Sequence, residues 1–209
     1  MSILIFDLDG TLIDTSKIVI SAFIKAIRHF PDVTLPAEKT MLGTFGQPDY
    51  KIWEVLMPNC SDEERREADE LSGKYIQEGL IESVVLMGGS RSVLEHLQKL
   101  GHTLTIASNC GIDYLNSVLD SQGIRDYFNH PLCLESVSGQ NKADILAEHI
   151  RFFGSSGCVM IGDRYTDIEA AKYHDIPAIG CDFGFGNTHE LQGASQIIHH
   201  LSELLDIFD

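Results

Sequence analysis

The sequence predicts a doubly wound α/β fold, with a Rossmann-like parallel-sheet core and a helical cap inserted after the first strand. Over the C-terminal two thirds of the chain, apolar runs of strand length alternate with helical segments. This alternation is typical of a parallel sheet covered by helices on both faces. Residues 15–81 differ, because they show helical periodicity without strands. We therefore expect a core of residues 1–14 and 82–209 and a cap of residues 15–81.

The individual elements can be predicted in chain order. The apolar run ILIF forms the first strand and leads directly into Asp7. In the cap, TSKIVISAFIKAIRHF and SDEERREADELSGKYIQEGL are helical, and the second opens with a capping box from Ser61 to Glu64. RSVLEHLQKLG returns the chain to the core as a helix. The other core strands are expected at HTLTIAS, PLCLE, GCVMIGD, IPAIGCD and SQIIHH, and the other core helices at GIDYLNSVLDSQG, NKADILAEHIRFFG, YTDIEAAKYH and LSELLDIF.

Charge and cysteine content narrow the classes of function. The 209 residues include 15 Lys and Arg against 31 Asp and Glu, a formal net charge of -16. This balance argues against nucleic acid or an anionic membrane as partner, because both need a basic face. The sequence contains neither a signal-peptide pattern nor an apolar stretch of about 18 residues. The five scattered cysteines form no CxxC pair, which is typical of reduced thiols, so we expect a cytoplasmic protein.

Polar residues with chemical potential stand where predicted strands end or helices begin. They are Asp7, Asp9, Ser108, Asn109, Lys142, Asp163 and Asp167. Because the C-terminal ends of parallel strands share one edge of a sheet, we expect these side chains to meet in one crevice. Clustered carboxylates need a cation among them, and hard oxygen ligands together with a phosphorylated substrate suit Mg²⁺. A carboxylate can also attack phosphorus as a nucleophile, so the pattern favours phosphoryl chemistry.

Four short motifs occur in the order DLDGT, ASN, NK and GDRYTD, and they resemble the four motifs of the haloacid dehalogenase (HAD) superfamily. The resemblance spans essentially the whole chain. It includes the helical cap between the first two motifs, as in the phosphoglycolate phosphatase-like branch. The resemblance implies a Mg²⁺-dependent phosphatase that hydrolyses a small phosphorylated metabolite through an aspartyl-phosphate intermediate, with a phosphoglycolate-like compound among the candidate substrates.

The same resemblance assigns roles to the acidic residues. Asp7 would be the nucleophile and a metal ligand. Asp9 would be the general acid and base, with its backbone carbonyl on the metal. Asp163 would complete the metal site. Asp167 would support that site by positioning its ligands, without binding the metal itself.

Substrate contacts are also implied by the resemblance. The residues expected to bind the transferring phosphoryl group are Ser108, Asn109 and Lys142. In the cap, the loop GTFGQPDYK is expected to face the substrate, as the cap loop does in relatives. Its candidate contact residues are Gly46, Gln47 and Lys51.

Two other functions remain open at this stage. A mutase of the β-phosphoglucomutase type resembles the same motifs but returns the phosphoryl group to a sugar. A non-catalytic phosphoacceptor or metabolite-binding regulator would also gather acids, a hydroxyl group and a lysine at the edge of a parallel sheet. The size of the helical insertion and the presence of Asp9 two residues after Asp7 favour turnover over simple phosphoacceptance.

Overall fold

A computed structural model describes residues 1–45, 47, 49–186 and 188–209, with residues 49 and 188 described by their backbone only. The described strands form one parallel sheet of spatial order β3-β2-β1-β4-β5-β6. The strands are β1 (Ile3–Phe6), β2 (Thr103–Ser108), β3 (Leu132–Cys133), β4 (Cys158–Gly162), β5 (Ala178–Cys181) and β6 (Gln196–Ile198). The winding direction reverses beside β1, and in open α/β sheets a crevice for ligands forms at such a point.

Helices cover both faces of this sheet. The helices of the described residues are α1 (Ser16–Ile27), α2 (Glu38–Leu42), α3 (Asp49–Leu56), α4 (Asp62–Glu82), α5 (Ser90–Lys99), α6 (Ile112–Ser121), α7 (Lys142–Phe153), α8 (Tyr165–Tyr173) and α9 (Glu203–Phe208). Leu4 and Phe6 of β1 point to one face and pack with residues of α5, α6 and α9. Ile5 points to the other face and packs with residues of α7 and α8. The predicted doubly wound α/β fold is confirmed.

The register of the central strands brings their C-terminal ends level. Phe6, the last residue of β1, pairs with Ile106 of β2 on one side and with Ile161 of β4 on the other. The next residue, Asp7, donates its backbone N–H to the Ile161 carbonyl over 2.8 Å. The sheet therefore fixes the backbone at Asp7 before its side chain enters the crevice.

Helices α1 to α4 build a separate apolar cluster above that edge. Phe23, Trp53 and Met57 lie at its centre, with exposed fractions of 4%, 2% and 0%. The capping box that begins α4 is present, since Ser61 N donates to Glu64 Oε2 and Glu64 N donates to Ser61 Oγ. Helix α4 continues to Glu82, beyond the cap boundary expected at residue 81.

Two chain crossings join this helical layer to the sheet layer. Ile13 pairs with Leu86 as an antiparallel bridge, and Asp14 N donates to the Val85 carbonyl over 2.9 Å. The outgoing and returning chains thus run side by side. All five cysteines have free thiols. In the described part of the chain, no helix combines the length and apolarity needed to cross a membrane.

Candidate active site

A buried lysine lies between two carboxylates at the end of β1. Lys142 Nζ is 2.6 Å from Asp7 Oδ1 and 2.8 Å from Asp167 Oδ1, and it also donates to the Ala107 carbonyl over 3.0 Å. Burial alone would lower the pKa of Lys142, but the negative charges of Asp167 and Asp7 outweigh burial and raise it. Lys142 therefore stays protonated and holds both carboxylates in fixed positions.

A third carboxylate, Asp163, completes an acidic cluster. One carboxylate oxygen from each of Asp7, Asp163 and Asp167 lies within 4.8 Å of the other two. Thr11 Oγ1 donates to Asp163 Oδ1 over 3.4 Å, whereas Asp163 Oδ2 is buried and accepts no hydrogen bond from the described residues. Burial is the main cause that raises the pKa of Asp163, and Asp7 and Asp167 raise it further.

This cluster fits a divalent cation. Asp163 Oδ2 has only the Arg164 Nε at 3.5 Å and no hydrogen-bond donor among the described residues, which is costly for a buried carboxylate oxygen, and a hard cation would balance its charge more closely. Gly10, at φ +80°, leaves room for the Asp163 carboxylate, because a Cβ at position 10 would overlap it. Asp7 and Asp163 could hold the ion. Asp167 is already engaged, since its Oδ1 pairs with Lys142 and its Oδ2 accepts the Arg164 backbone N–H over 3.0 Å.

Asp9 points away from this cluster and has different partners. The hydroxyls of Thr15 and Tyr114 both donate to Asp9 Oδ1, over 2.5 and 2.7 Å. Burial raises the pKa of Asp9 to about 6, and these two hydrogen bonds limit the rise. A carboxyl group with a pKa near neutrality can both give and take a proton. The two acids of the DLDGT motif thus sit in environments that suit different tasks.

Ser108 and Asn109 follow the end of β2, next to the same crevice. Ser108 is 4% exposed, and its Oγ accepts the backbone N–H of Cys110 over 3.4 Å. Both residues line the cavity that Asp7, Asp9 and Lys142 also line. Together these five side chains come from three segments of the chain and meet at one edge of the sheet.

Arg164 has more contacts than its sequence context suggests. Its Nε lies 3.5 Å from Asp163 Oδ2, and its Nη1 lies 3.3 Å from Glu190 Oε1. The side chain therefore bridges the acidic cluster and the segment that follows β5. Arg164 also lines the cavity.

The cavity between the sheet edge and the helical layer has a volume of about 920 Å³. Ligand sites are commonly concave spaces of roughly 300–1,000 Å³. Its floor contains the acids and Lys142, and its roof contains side chains of α1, α3 and α4. The arrangement can enclose a small molecule whose reacting group meets Asp7.

The expected cap contacts are distributed unevenly. Gln47 lines the cavity, and its Nε2 donates to the Gly43 carbonyl over 3.2 Å. Lys51 is exposed and does not belong to the described lining; its Nζ lies 5.8 Å from the centroid of the Tyr50 ring. Gly46 falls outside the described residues.

Sequence reasoning did not identify Tyr114 and Thr15 as partners of Asp9, nor Arg164 as a partner of Asp163. The contact between Tyr114 and Asp9 spans 105 residues, so no local pattern signals it. Thr15 is the exception, because it lies only six residues after Asp9, at the start of α1. The hydroxyl of Thr15, at the junction between core and insertion, could therefore have been predicted from the sequence as a partner of Asp9.

Comparison with known proteins identifies the family of this chain. A family model described as haloacid dehalogenase-like hydrolase matches residues 4–181. A probable phosphatase, IndB, from Dickeya dadantii is 28% identical, over 97% of this chain and 91% of that protein. A phosphoglycolate phosphatase from Vibrio vulnificus is 27% identical, over 99% of this chain and 96% of that protein.

A solved structure gives the same result for the fold. A haloacid dehalogenase-like family protein from Streptococcus pneumoniae superposes with a TM-score of 0.86 at 24% identity, covering 100% of this chain and 99% of that one. The sequence expectation of a HAD-like enzyme is confirmed. With the family model matching most of its length, the chain belongs to the haloacid dehalogenase-like hydrolase family.

Proposed function

We propose that this protein is a Mg²⁺-dependent phosphatase that hydrolyses a small phosphorylated metabolite through a phosphoryl group carried on Asp7. One observation carries the proposal. Asp7 and Asp9 are two residues apart, yet Asp7 is held by Lys142 in an acidic cluster, whereas Asp9 is held apart by Tyr114 and Thr15. Nucleophilic attack on phosphorus and proton transfer to the leaving group need two carboxylates placed in this way.

In the first step, the Asp7 carboxylate attacks phosphorus and the ester bond to the leaving oxygen breaks. Asp9 gives its proton to that oxygen, so the leaving group departs as an alcohol. Lys142, Ser108 and Asn109 bind the oxygens of the phosphoryl group and stabilise the charge that spreads over them.

In the second step, water attacks the phosphoryl group on Asp7. Asp9, now ionised, takes a proton from this water, and inorganic phosphate leaves with Asp7 regenerated as a carboxylate. A Mg²⁺ ion held by Asp7, Asp163 and the backbone carbonyl of Asp9 would neutralise phosphoryl charge. We assign Asp167 the role of positioning Lys142, and the distance of 2.8 Å between Asp167 Oδ1 and Lys142 Nζ supports this role.

The helical layer of residues 15–81 acts in this proposal as a cap. Its side chains roof the cavity above Asp7, and closure over a substrate would exclude bulk water from the phosphoryl group. The relatives named phosphatases support the reaction class, and the phosphoglycolate phosphatase among them supports a small phosphorylated metabolite as substrate. The five free cysteines support work in the cytoplasm.

The test is phosphate release from a panel of phosphorylated metabolites, with Mg²⁺ and with EDTA. We expect release only with the metal, and none from Asp7→Asn. Asp113→Asn is the matched control, because Asp113 lines the same cavity but is exposed and has no role in the mechanism. Asp9→Asn should still accept a phosphoryl group from an ester with a good leaving group, seen as phosphorylated Asp7 by mass spectrometry. Release by Asp7→Asn at the wild-type rate would reject the mechanism.

A further inference from the structure

Part of the cavity roof is aromatic. The Phe23 ring centroid lies 6.5 Å from that of Phe45 and 5.4 Å from that of Trp53, and both pairs meet edge to face. Tyr50, 64% exposed, and Ile76 extend this apolar surface along the lining. A small, fully polar leaving group would gain little from such a surface, whereas a ring could pack against it.

The charges around the cavity are mostly negative. Seven carboxylates line it, against three cationic side chains: Lys74, Lys142 and Arg164. Lys142 is already balanced by Asp7 and Asp167, and Arg164 by two further carboxylates. Among the cationic side chains of the described lining, Lys74 alone has no carboxylate within ion-pair distance. Lys74 is exposed, so solvent and salt weaken its attraction for an anion. A second anionic group on the substrate would therefore meet little compensation.

One of these carboxylates is fixed at the edge of the aromatic roof. Trp53 Nε1 donates to Asp69 Oδ1 over 2.7 Å, which holds the Asp69 side chain of α4 against the cavity. An ionised carboxylate only accepts hydrogen bonds. Asp69 therefore favours a hydroxyl or ammonium group on the leaving group and disfavours another anion.

From the roof and its charges, we infer that the preferred substrates are phosphate monoesters whose leaving group is uncharged or cationic and carries an aromatic ring. Compounds with a second anionic group close to the phosphate, such as phosphoglycolate, should be disfavoured. This inference rests on the proposed phosphatase function and adds the class of leaving group to it.

The experiment compares kcat/KM for two pairs of phosphate esters. Benzyl phosphate and propyl phosphate differ in the ring, and benzyl phosphate and 4-carboxybenzyl phosphate differ in charge far from the ester oxygen. We expect benzyl phosphate to be favoured about tenfold in the first pair, a ratio typical of pocket discrimination. In the second pair it should be favoured by at least about tenfold, because the added carboxylate meets like charge.

Variants locate the source of the preference. Phe45→Ala should lower the benzyl-to-propyl ratio toward one. Phe30→Ala is the matched control, because Phe30 packs against the same cap cluster but is absent from the described cavity lining. Asp69→Asn should narrow the gap between benzyl and 4-carboxybenzyl phosphate while leaving the benzyl-to-propyl ratio unchanged.

Two results would overturn the inference and leave the phosphatase intact. One is a higher kcat/KM for phosphoglycolate than for benzyl phosphate, lost selectively in Lys74→Gln, which would make Lys74 a binding residue for a second anion. The other is an equal effect of Phe45→Ala and Phe30→Ala on the ratio. If no ester in the panel, including p-nitrophenyl phosphate, releases phosphate with Mg²⁺ present, both the inference and the proposed function fail.

Discussion

The Tyr114 hydroxyl, on the core helix α6, donates a hydrogen bond over 2.7 Å to Oδ1 of Asp9. It also lies 3.1 Å from Thr15 Oγ1, and Thr15 donates to the same Asp9 oxygen. Two hydroxyls on one oxygen fix the rotation of the carboxyl group and leave its other oxygen for proton transfer. The orientation of the proposed acid thus depends on a residue from outside the four sequence motifs.

Replacement of Tyr114 tests this dependence. In Tyr114→Phe the ring remains, but one of the two hydrogen bonds to Asp9 is lost. We expect kcat to fall about tenfold, in line with the loss of a hydrogen bond to a charged group, while KM changes less than about twofold. Tyr127→Phe is the control, since Tyr127 packs against the same core cluster but is not among the described lining residues. Equal effects of the two variants on kcat would contradict the positioning role.

The Lys142 ion pairs make a second prediction, on stability. In Lys142→Met the carboxylates of Asp7 and Asp167 lose their shared cation in a site where Lys142 is only 3% exposed. Loss of one partner from a buried pair costs about 3–5 kcal/mol, so the free energy of unfolding measured by urea titration in EDTA should fall by about that amount. Adding Asp167→Asn to Lys142→Met should recover part of it, because one uncompensated charge is removed.

The surface supplies the control for this measurement. Lys99 pairs with Glu95 over 2.6 Å, but its side chain is 71% exposed. Exposed pairs contribute little, so Lys99→Met should change the free energy of unfolding by less than about 1 kcal/mol. A similar loss in both variants would show that burial does not set the contribution of the Lys142 pairs.

Metal binding gives a third prediction, which does not depend on activity. Because a ligand that binds only the folded state stabilises it, saturating Mg²⁺ should raise the melting temperature of the wild type by about 5 °C or more relative to EDTA. Asp163→Asn should abolish this rise, and Asp113→Asn should keep it. In EDTA, Asp163→Asn should match or exceed the wild type in stability, because it removes a buried carboxylate oxygen without a hydrogen-bond donor. A full Mg²⁺-dependent rise in Asp163→Asn would contradict the assignment.

The fold and the floor of the site were predictable because their signals are local. Apolar runs of strand length mark the strands, and the residue after each run is fixed at the sheet edge, as with Asp7 after Phe6. The capping box at Ser61 and Glu64 is equally local, and it is present. Such features depend on neighbours within a few residues, where sequence patterns act directly.

The remaining parts of the site depend on tertiary packing. The contact of Tyr114 with Asp9 and the bridge of Arg164 from Asp163 to Glu190 join segments that only the folded sheet brings together. The contacts of the cap loop also depend on the folded structure. Lys51 lies near the start of α3, and the phase of that helix turns it to solvent rather than to the cavity.

The buried His149 of α7 should make the free energy of unfolding depend on acid. His149 is fully buried, its Nε2 lies 2.9 Å from the Ile106 carbonyl, and its Nδ1 has no hydrogen-bond partner in the described structure. Burial lowers the pKa of His149 to about 4; the neighbouring His130 lowers it further, whereas the Ile106 contact and Glu148 oppose the shift. The folded protein therefore holds this imidazole neutral where the unfolded chain protonates it.

The sign of the pH dependence follows from that difference. Between about pH 6.5, the ordinary value for histidine, and about pH 4, the unfolded chain binds a proton that the folded chain does not. The free energy of unfolding should therefore fall as the pH is lowered through this window, by up to about 3 kcal/mol from this residue alone. Urea titrations at several pH values should show a shallower fall for His149→Gln, which has no such proton to bind, than for the wild type. His200→Gln, at an exposed position, should follow the wild-type curve. Parallel curves for His149→Gln and the wild type would contradict this assignment and place the acid sensitivity in other groups.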